Sequence, residues 1–320
     1  MRYIISLLLT SVALPALADV PRVVTDLPPI HSLAAQVMGD LGTPALLLDR
    51  GGNAHDFQLR PSQAAALADA DLILWVGPEM TPWLDRALES LSPDIPRLTL
   101  IDSGGTFRRD FGQTDAHDHE HSEEEAHAHD EAPKPDAAQD DHSGHDHSGI
   151  DPHAWLDPVN ASHWAGVIAA ELSRLDPENA ATYAANAAKA QARIAAMDAE
   201  IADQLAPVTG KPFVVFHDAY GYFAGHYGLT VAGSVSLGDA SSPGAARLRD
   251  LSNTVASGGA VCLFPEGQHD PALVTQMAEG TAVKVGMPLD PEGALIAPGP
   301  DGYDALMRGL AKALTDCLNG

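Results

Sequence analysis

Basic side chains are scarce in this chain of 320 residues. It has 18 Lys and Arg against 44 Asp and Glu, which gives a formal net charge of −26 at pH 7. Such a charge repels the phosphates of nucleic acids and of anionic lipids, so neither is expected as a partner. It concentrates cations near the surface instead, although ionic screening limits that reach to about 10 Å at 0.1 M salt.

Cysteine is almost absent, with Cys262 and Cys317 as the only two. A pair of zinc thiolates would need a C-x-x-C pattern, which the sequence lacks. In an oxidising compartment two cysteines most simply form one disulfide. Closing a loop of that length would stabilise the fold by roughly 3–5 kcal/mol in the chain-entropy model. We therefore predict a Cys262–Cys317 disulfide.

Long apolar runs are missing too. The run Ile4–Leu14 is too short to cross a bilayer, and no later run is long and apolar enough. It follows Arg2 and precedes Ala16-Leu17-Ala18, a pattern typical of a cleavable secretory signal peptide. Residues 1–18 are thus predicted to be a signal peptide, with a membrane anchor as the alternative. Since no cysteine stands at the cleavage site, we expect no direct membrane anchor.

Histidine is abundant in one stretch, Asp115–His147. Imidazole binds zinc, copper, nickel and iron, and the neighbouring carboxylates keep the local field negative. A segment this polar cannot bury enough apolar surface to offset the entropy lost on ordering. We therefore predict that residues 113–149 form a disordered loop that binds metal weakly. The alternative is an acidic solubilising loop in which histidine is incidental. The stretch holds eight of the fifteen histidines: His117, His119, His121, His127, His129, His142, His145 and His147.

The sequence on either side of this stretch alternates short β-rich runs with helical ones. Predicted strands are Val23–Thr25, Ala45–Leu48, Leu72–Val76, Leu98–Ile101, Pro212–Phe216, Ala260–Phe264 and Ala282–Val285. Predicted helices are Ile30–Met38, one that begins at Pro61, Thr81–Leu91, Ala219–Tyr227 and Tyr303–Cys317. This repetition is typical of parallel sheets with helices on their faces. The predicted fold class is α/β, with two similar α/β lobes.

One helical stretch is much longer than the others. Its apolar residues recur at spacings of three and four: Tyr183, Ala187, Ala190, Ile194, Met197, Ile201 and Leu205. Asp176 is a candidate N-cap with Pro177 in the first turn. At 1.5 Å per residue the helix would be about 45 Å long, which favours a rigid strut between lobes over an ordinary surface helix. We predict a first lobe over 19–175, a linking helix over 176–206, a second lobe over 207–320, and a cleft between the lobes.

Three histidines outside the acidic stretch stand at loops or strand ends. His55 lies in a loop before the Pro61 helix, His153 lies just past the acidic stretch, and His217 follows the apolar strand Phe213–Phe216. Each alone is more often a structural or exposed histidine than a ligand. Together, in a chain that carries a metal-binding composition, they are the candidate ligands of a selective site.

Five blocks of sequence resemble the periplasmic zinc-binding component of zinc ABC transporters (ZnuA-type), a cluster A-I family of solute-binding proteins. They occur in family order along nearly the whole mature chain, together with the histidine-rich insertion and the two late cysteines. The five blocks are Gly51–Gln63, Leu74–Met80, Asp151–Pro158, Phe216–Phe223 and Leu289–Gly293.

This resemblance implies two α/β lobes, a long rigid linking helix and one Zn²⁺ held in the cleft by His55, His153 and His217. Some relatives carry a glutamate just before the first histidine, and here that position is Ala54. The fourth ligand would then be water or a carboxylate of the second lobe. Asp270 is the candidate by position, with Glu266 and His269 as open alternatives.

Further expectations follow from the resemblance. The chain would be a periplasmic monomer that delivers zinc to an inner-membrane ABC permease and catalyses no reaction. Three imidazoles suit zinc, whereas manganese-binding relatives carry a glutamate where His217 stands. Asp56, Asp157 and Asp218 neighbour the ligands, so they either accept hydrogen bonds from the imidazoles or cap helices and turns.

Three rival functions stay open at this stage. The same scaffold could serve as a manganese or iron receptor. A His₃-plus-water site also matches catalytic zinc, although no H-E-x-x-H motif is present. The third alternative is a histidine-rich metal buffer, in which the acidic stretch and not the cleft would hold the ion.

Overall fold

The computed structural model describes residues 19–91, 94–111, 149–236 and 244–320. The predicted signal peptide and the histidine-rich stretch with its eight candidate ligands lie outside these ranges. Within them, no helix is long and apolar enough to cross a membrane.

Two four-stranded parallel sheets form the centres of two lobes, as the βα pattern predicts. The first has the strand order β2-β1-β3-β4 and the second has the equivalent order β6-β5-β7-β8. The strands are β1 (Val23–Thr25), β2 (Ala45–Leu46), β3 (Leu72–Trp75), β4 (Arg97–Thr99), β5 (Phe213–Val215), β6 (Val231–Ser234), β7 (Cys262–Leu263) and β8 (Lys284–Val285). The loops that follow the parallel strands lie at one edge of each sheet, which is where α/β folds place ligands.

Nine α-helices lie in the described part of the chain. They are α1 (Pro28–Met38), α2 (Pro61–Ala68), α3 (Pro82–Glu89), α4 (Pro158–Leu175), α5 (Ala180–Leu205), α6 (Gly221–Tyr227), α7 (Ala245–Ala256), α8 (Ala272–Ala278) and α9 (Gly302–Asn319). Proline starts each of the first four helices, because its fixed φ suits the first turn and its missing N–H has no partner there in any case. The sequence interpretation missed α4, α7, α8 and β6.

Each sheet is covered on both faces. The outer face of the first sheet packs against α2 and α3 through residues such as Leu67, Trp83 and Leu84. The outer face of the second packs against α7 and α8 through residues such as Leu251 and Val274. The inner faces share one large apolar core with α1, α4, α5 and α9. Burial of this continuous core holds the two lobes together around the central helices.

Helix α5 lies within the range 176–206 that the sequence predicts to be a linking helix. Its buried residues are the seven of the predicted stripe: Tyr183, Ala187, Ala190, Ile194, Met197, Ile201 and Leu205. It begins later than predicted, because Pro177–Asn179 form a 3-10 turn before it. The Asp176 carboxylate accepts hydrogen bonds from Asn179 Nδ2 at 2.7 Å and from the Tyr183 hydroxyl at 2.8 Å. It thus anchors the start of the helix through side chains and not through a backbone N–H.

The last helix ties the end of the chain back to the first lobe. Helix α9 packs against α5 and α1. Just before α9, the Pro300 carbonyl accepts a hydrogen bond from Ser32 Oγ at 3.0 Å. The predicted disulfide is confirmed, since Cys262 of β7 is bonded to Cys317 of α9. It fixes β7 on the central helices, close to the strand end from which Glu266 emerges.

Candidate metal centre

His55, His153 and His217 come together between the two lobes. One ring nitrogen of each lies within 4.8 Å of the others, and no second such group of His, Cys, Asp or Glu occurs among the described residues. The ring centroids are 5.6 Å apart for His55 and His153, 6.3 Å for His55 and His217, and 5.2 Å for His153 and His217. Far-apart segments of the chain therefore converge on a volume the size of one ion.

The backbone position of His55 is fixed by a turn that the neighbouring residues form. The Asn53 side-chain oxygen accepts hydrogen bonds from the backbone N–H groups of His55 at 2.8 Å and of Asp56 at 3.1 Å. Trp83 of α3 donates its indole N–H to the Ala54 carbonyl at 2.7 Å, and Ala54 itself is fully buried. The residue just before His55 is thus a small apolar side chain inside the lobe.

His153 is oriented by Asp151. The Asp151 carboxylate accepts from the His153 backbone N–H at 3.0 Å and lies 2.8 Å from the ring Nδ1. Directly after His153, the 3-10 turn Ala154–Leu156 buries Trp155, whose ring centroid lies 5.3 Å from that of the histidine. The Trp155 indole N–H donates to the Pro291 carbonyl of the second lobe at 2.9 Å. The His153 ring is consequently held by the Asp151 carboxylate on one side and by the buried Trp155 ring on the other.

His217 is oriented by Glu266 of the second lobe. Its Nδ1 lies 2.8 and 2.7 Å from the two carboxylate oxygens of Glu266, which follows β7. The Tyr220 hydroxyl donates to the same carboxylate at 2.8 Å. His217 is 1% exposed and Glu266 is 4% exposed, so this contact is shielded from solvent.

The two carboxylates decide which nitrogen of each ring faces the centre. A neutral ring that donates its Nδ1–H to Asp151 or Glu266 is left with the lone pair on Nε2. The Nε2 atoms of His153 and His217 face each other at 3.3 Å. Two tetrahedral Zn–N bonds of 2.0–2.1 Å subtend a nitrogen–nitrogen separation of about 3.3 Å. Two facing lone pairs repel each other, whereas a cation placed between them attracts both.

The aspartates adjacent to the histidines have other surroundings. Asp157 accepts from the Val159 backbone N–H at 2.8 Å and so caps α4, which is the capping alternative. Asp56 has an exposed side chain. Asp218 is half-buried, and burial raises its pKa, with repulsion from Asp151 as the next cause. Asp151 and Glu266 are the carboxylates that contact the rings.

Asp270, the candidate fourth ligand, is exposed, and its carboxylate accepts from the Ala272 backbone N–H at 2.9 Å. The two open alternatives also have neighbours of their own. Glu266 is bonded to His217, and the ring of His269 stacks on Phe216 with centroids 4.3 Å apart. The described side chains thus supply three nitrogens to the centre, which matches the three-ligand zinc sites that keep one position for water.

Sequence reasoning missed the partner role of Asp151 and weighed Glu266 only as a fourth ligand. A signal for Asp151 existed, because it stands two residues before His153 and a carboxylate at that spacing can fold back onto a ring. Glu266 follows the apolar strand run Ala260–Phe264, so a buried strand end could have been inferred for it. Its pairing with His217, 49 residues away, is a tertiary contact.

A family model described as the periplasmic component A of the zinc-uptake complex, ZnuA, matches residues 23–317. The chain belongs to the ZnuA family. It is 54% identical over 311 residues to the high-affinity zinc uptake system protein ZnuA of Paracoccus denitrificans, with 97% of this chain and 95% of that protein covered. The ZnuA protein of Brucella suis is 40% identical over 306 residues, with 93% and 91% covered.

Solved ZnuA structures share the fold. A ZnuA deletion mutant with zinc bound superposes with a TM-score of 0.72 at 23% sequence identity, covering 93% of this chain and 98% of that one. The two-lobe arrangement of the parallel sheets is therefore the ZnuA fold, as the resemblance implied.

Replacing Glu266 by Gln is expected to lower zinc affinity by about 10- to 100-fold, the usual effect of losing an outer partner of a metal-bound histidine. The amide keeps the size of the side chain but removes the charge that makes the His217 ring a stronger donor to the metal. A competitive titration against a chelator measures the change. The matched control is Glu171→Gln, which breaks a surface ion pair with Arg174 and should leave affinity unchanged. Equal losses in both variants would contradict the role of Glu266.

Proposed function

We propose that this ZnuA family member is a periplasmic receptor that captures Zn²⁺ through His55, His153 and His217 and delivers it to an inner-membrane ABC permease. Residues 1–18 serve as its cleaved signal peptide. Residues 19–175 and 207–320 act as the two lobes, with 176–206 as the linking helix. The protein performs no covalent chemistry, and it works as a monomer.

The observation that carries this proposal is the set of three nitrogens that face one point between the lobes. Neutral imidazoles are good ligands for a borderline ion such as zinc, and the buried carboxylates behind two of them strengthen the donation. Because the three histidines come from both lobes, a bound metal would also hold the lobes in one arrangement, and a permease could recognise that arrangement. Water is the fourth ligand that fits this donor set.

Metal selectivity tests the proposal directly, because the same fold hosts manganese-bound proteins. We expect Zn²⁺ to displace Mn²⁺ and Fe²⁺ in a competition titration, because three nitrogen donors and no carboxylate favour zinc over the harder ions. The readout is the metal content of the protein after equilibration with equimolar mixtures. A preference for Mn²⁺ or Fe²⁺ would replace the zinc receptor with the manganese or iron receptor.

The histidine-rich stretch is proposed to hold further zinc weakly and either to pass it inward or to sense its supply. Eight imidazoles interleaved with twelve carboxylates give many weak sites of similar energy. Deleting Asp115–His147 should lower the number of bound zinc ions while one tight site remains. Unchanged stoichiometry and uptake would rule out this role, and loss of all binding would make the protein a histidine-rich buffer.

A further inference from the structure

The histidine-rich stretch joins the described structure through two short pieces of chain, residues 109–111 and 149–151, here called the neck. Asp110 and Ile150 form an antiparallel bridge. The Phe111 N–H donates to the Gly149 carbonyl at 3.1 Å, and the Asp151 N–H donates to the Arg109 carbonyl at 2.9 Å. The neck therefore has a defined register on the first lobe.

Tyr222 of the second lobe bonds to both pieces of the neck. Its hydroxyl donates to the Asp151 carbonyl at 2.9 Å and accepts from the Arg109 N–H at 3.0 Å. The residue is 1% exposed, and burial raises the pKa of Tyr222, so the hydroxyl keeps its proton. One phenol from α6 thus bridges the Arg109 N–H and the Asp151 carbonyl, which would bond to each other directly in an uninterrupted antiparallel ladder.

Close packing around this hydroxyl keeps the neck against α6. The Arg109 guanidinium lies over the Tyr222 ring at 5.8 Å from its centroid, and the Phe107 ring meets the same ring edge-to-face at 6.0 Å. A Cβ added at Gly221 would come within 2.3 Å of the Arg109 guanidinium, so the absence of a side chain there permits the approach.

The neck is also part of the metal centre, because Asp151 closes the neck and orients His153. The backbone of Asp151 is bonded to Arg109 and Tyr222, while its carboxylate is bonded to the backbone N–H and the Nδ1 of His153. Tyr222 itself follows His217 by five residues on the second lobe. A continuous chain of contacts therefore runs from the second lobe through the Tyr222 hydroxyl and Asp151 to the His153 ring.

The geometry points to Tyr222 as a positioning residue for zinc capture: its hydroxyl fixes the neck, and the neck aims the Asp151 carboxylate that orients His153. This inference rests on the proposed function, since it concerns the same cleft site. It couples the position of the neck and the orientation of one proposed zinc ligand to a hydrogen-bonding group of the opposite lobe.

The test compares Tyr222→Phe with Tyr183→Phe, each of which removes one buried phenolic hydroxyl. Tyr183 bonds to Asp176 far along the chain from the site. We expect Tyr222→Phe to speed zinc dissociation by about 3- to 10-fold, less than loss of a direct partner of the ring. It should also shift the visible absorption bands of the Co²⁺-loaded protein. Tyr183→Phe should change neither, whatever its effect on Tm.

A double-mutant cycle separates positioning from general packing. In an Asp151→Ala background there is no carboxylate to aim, so adding Tyr222→Phe should change the dissociation rate by less than twofold. In a Glu266→Gln background the effect of Tyr222→Phe should persist in full. Equal effects in both backgrounds, or a Tyr222→Phe variant that releases zinc at the wild-type rate, would overturn the inference.

Zinc binding by the wild-type protein distinguishes a failure of this inference from a failure of the proposed function. Wild-type protein that binds no zinc in the cleft would contradict the receptor proposal itself. Tight wild-type binding together with an unchanged zinc release rate in Tyr222→Phe would contradict only the positioning role.

Gly221→Ala supplies an independent variant, because its Cβ displaces the Arg109 guanidinium from the Tyr222 ring. It should speed zinc release in the same direction, and an unchanged rate would contradict the proposal.

Discussion

Replacing His217 by Ala is expected to weaken zinc binding in the cleft by more than about 100-fold. Loss of an outer partner of a ligand already costs 10- to 100-fold, so loss of the ligand itself costs more. His217 is also the second-lobe member of the three-histidine group, so its removal takes away the link that the metal makes between lobes. The measurement is a competitive chelator titration on protein that lacks Asp115–His147, so that weak sites do not mask the loss.

A second comparison is His121→Ala in the full-length chain, which removes one of the eight histidines of the acidic stretch and should leave the tight site unchanged. A thermal melt of His217→Ala without metal checks that the second lobe is still folded. Zinc affinity of His217→Ala within threefold of the wild type would remove His217 from the site.

Lowering the pH from 7.5 to 5.5 is expected to weaken zinc binding by more than about 10-fold, because each imidazole that binds the ion competes with a proton for its nitrogen. Imidazole binds zinc only in its neutral form, and the reference pKa of histidine is about 6.5. Each of the three rings must be free of a competing proton before its nitrogen can bind, so the effects of the three ligands multiply. Protonation thus competes with zinc more strongly as the pH falls, so zinc affinity is retained at neutral pH and lost in acid.

The slope of this dependence identifies the number of imidazoles. In the pH range where affinity falls, the logarithm of the dissociation constant should change less steeply with pH for His217→Ala than for the wild type, because one competing proton has been removed. The titration uses a chelator whose own proton binding is corrected for. Equal affinities at pH 5.5 and 7.5, or identical slopes in the two proteins, would contradict an imidazole site.

Local pattern was sufficient for much of the fold. The seven buried residues of α5 are the seven of the apolar stripe, because the period of a helix alone decides which side chains share a face. Strand β3 lies where an unbroken apolar run occurs, since a strand buried on both faces needs apolar residues at every position. The two cysteines required no pattern, because with only two there was one pairing to consider.

The elements that were missed show where local pattern stops. Helix α4 had readable signals in the cap Asp157 and in Trp164, Ile168 and Leu172 at spacings of four, but it followed the acidic stretch directly and was passed over. Strand β6 contains Gly233, and its residues other than Ser234 are only half-buried, so neither alternation nor an apolar run marked it. Its place at the sheet edge beside β5 is decided by pairing with a distant strand.

For the site, the sequence by itself determined the three histidines proposed as ligands, the loop positions of His55, His153 and His217, and a charge that favours a cation. It could not determine which carboxylates stand behind the rings: neighbours in the chain favoured Asp56, Asp157 and Asp218, while the folded protein brings Asp151 and Glu266 to Nδ1. The physical reason is that residue type and period act over a few residues, whereas a hydrogen bond depends on which segments the two lobes press together. Only the tertiary structure decided that, as it decided the contact of Tyr222 with the neck.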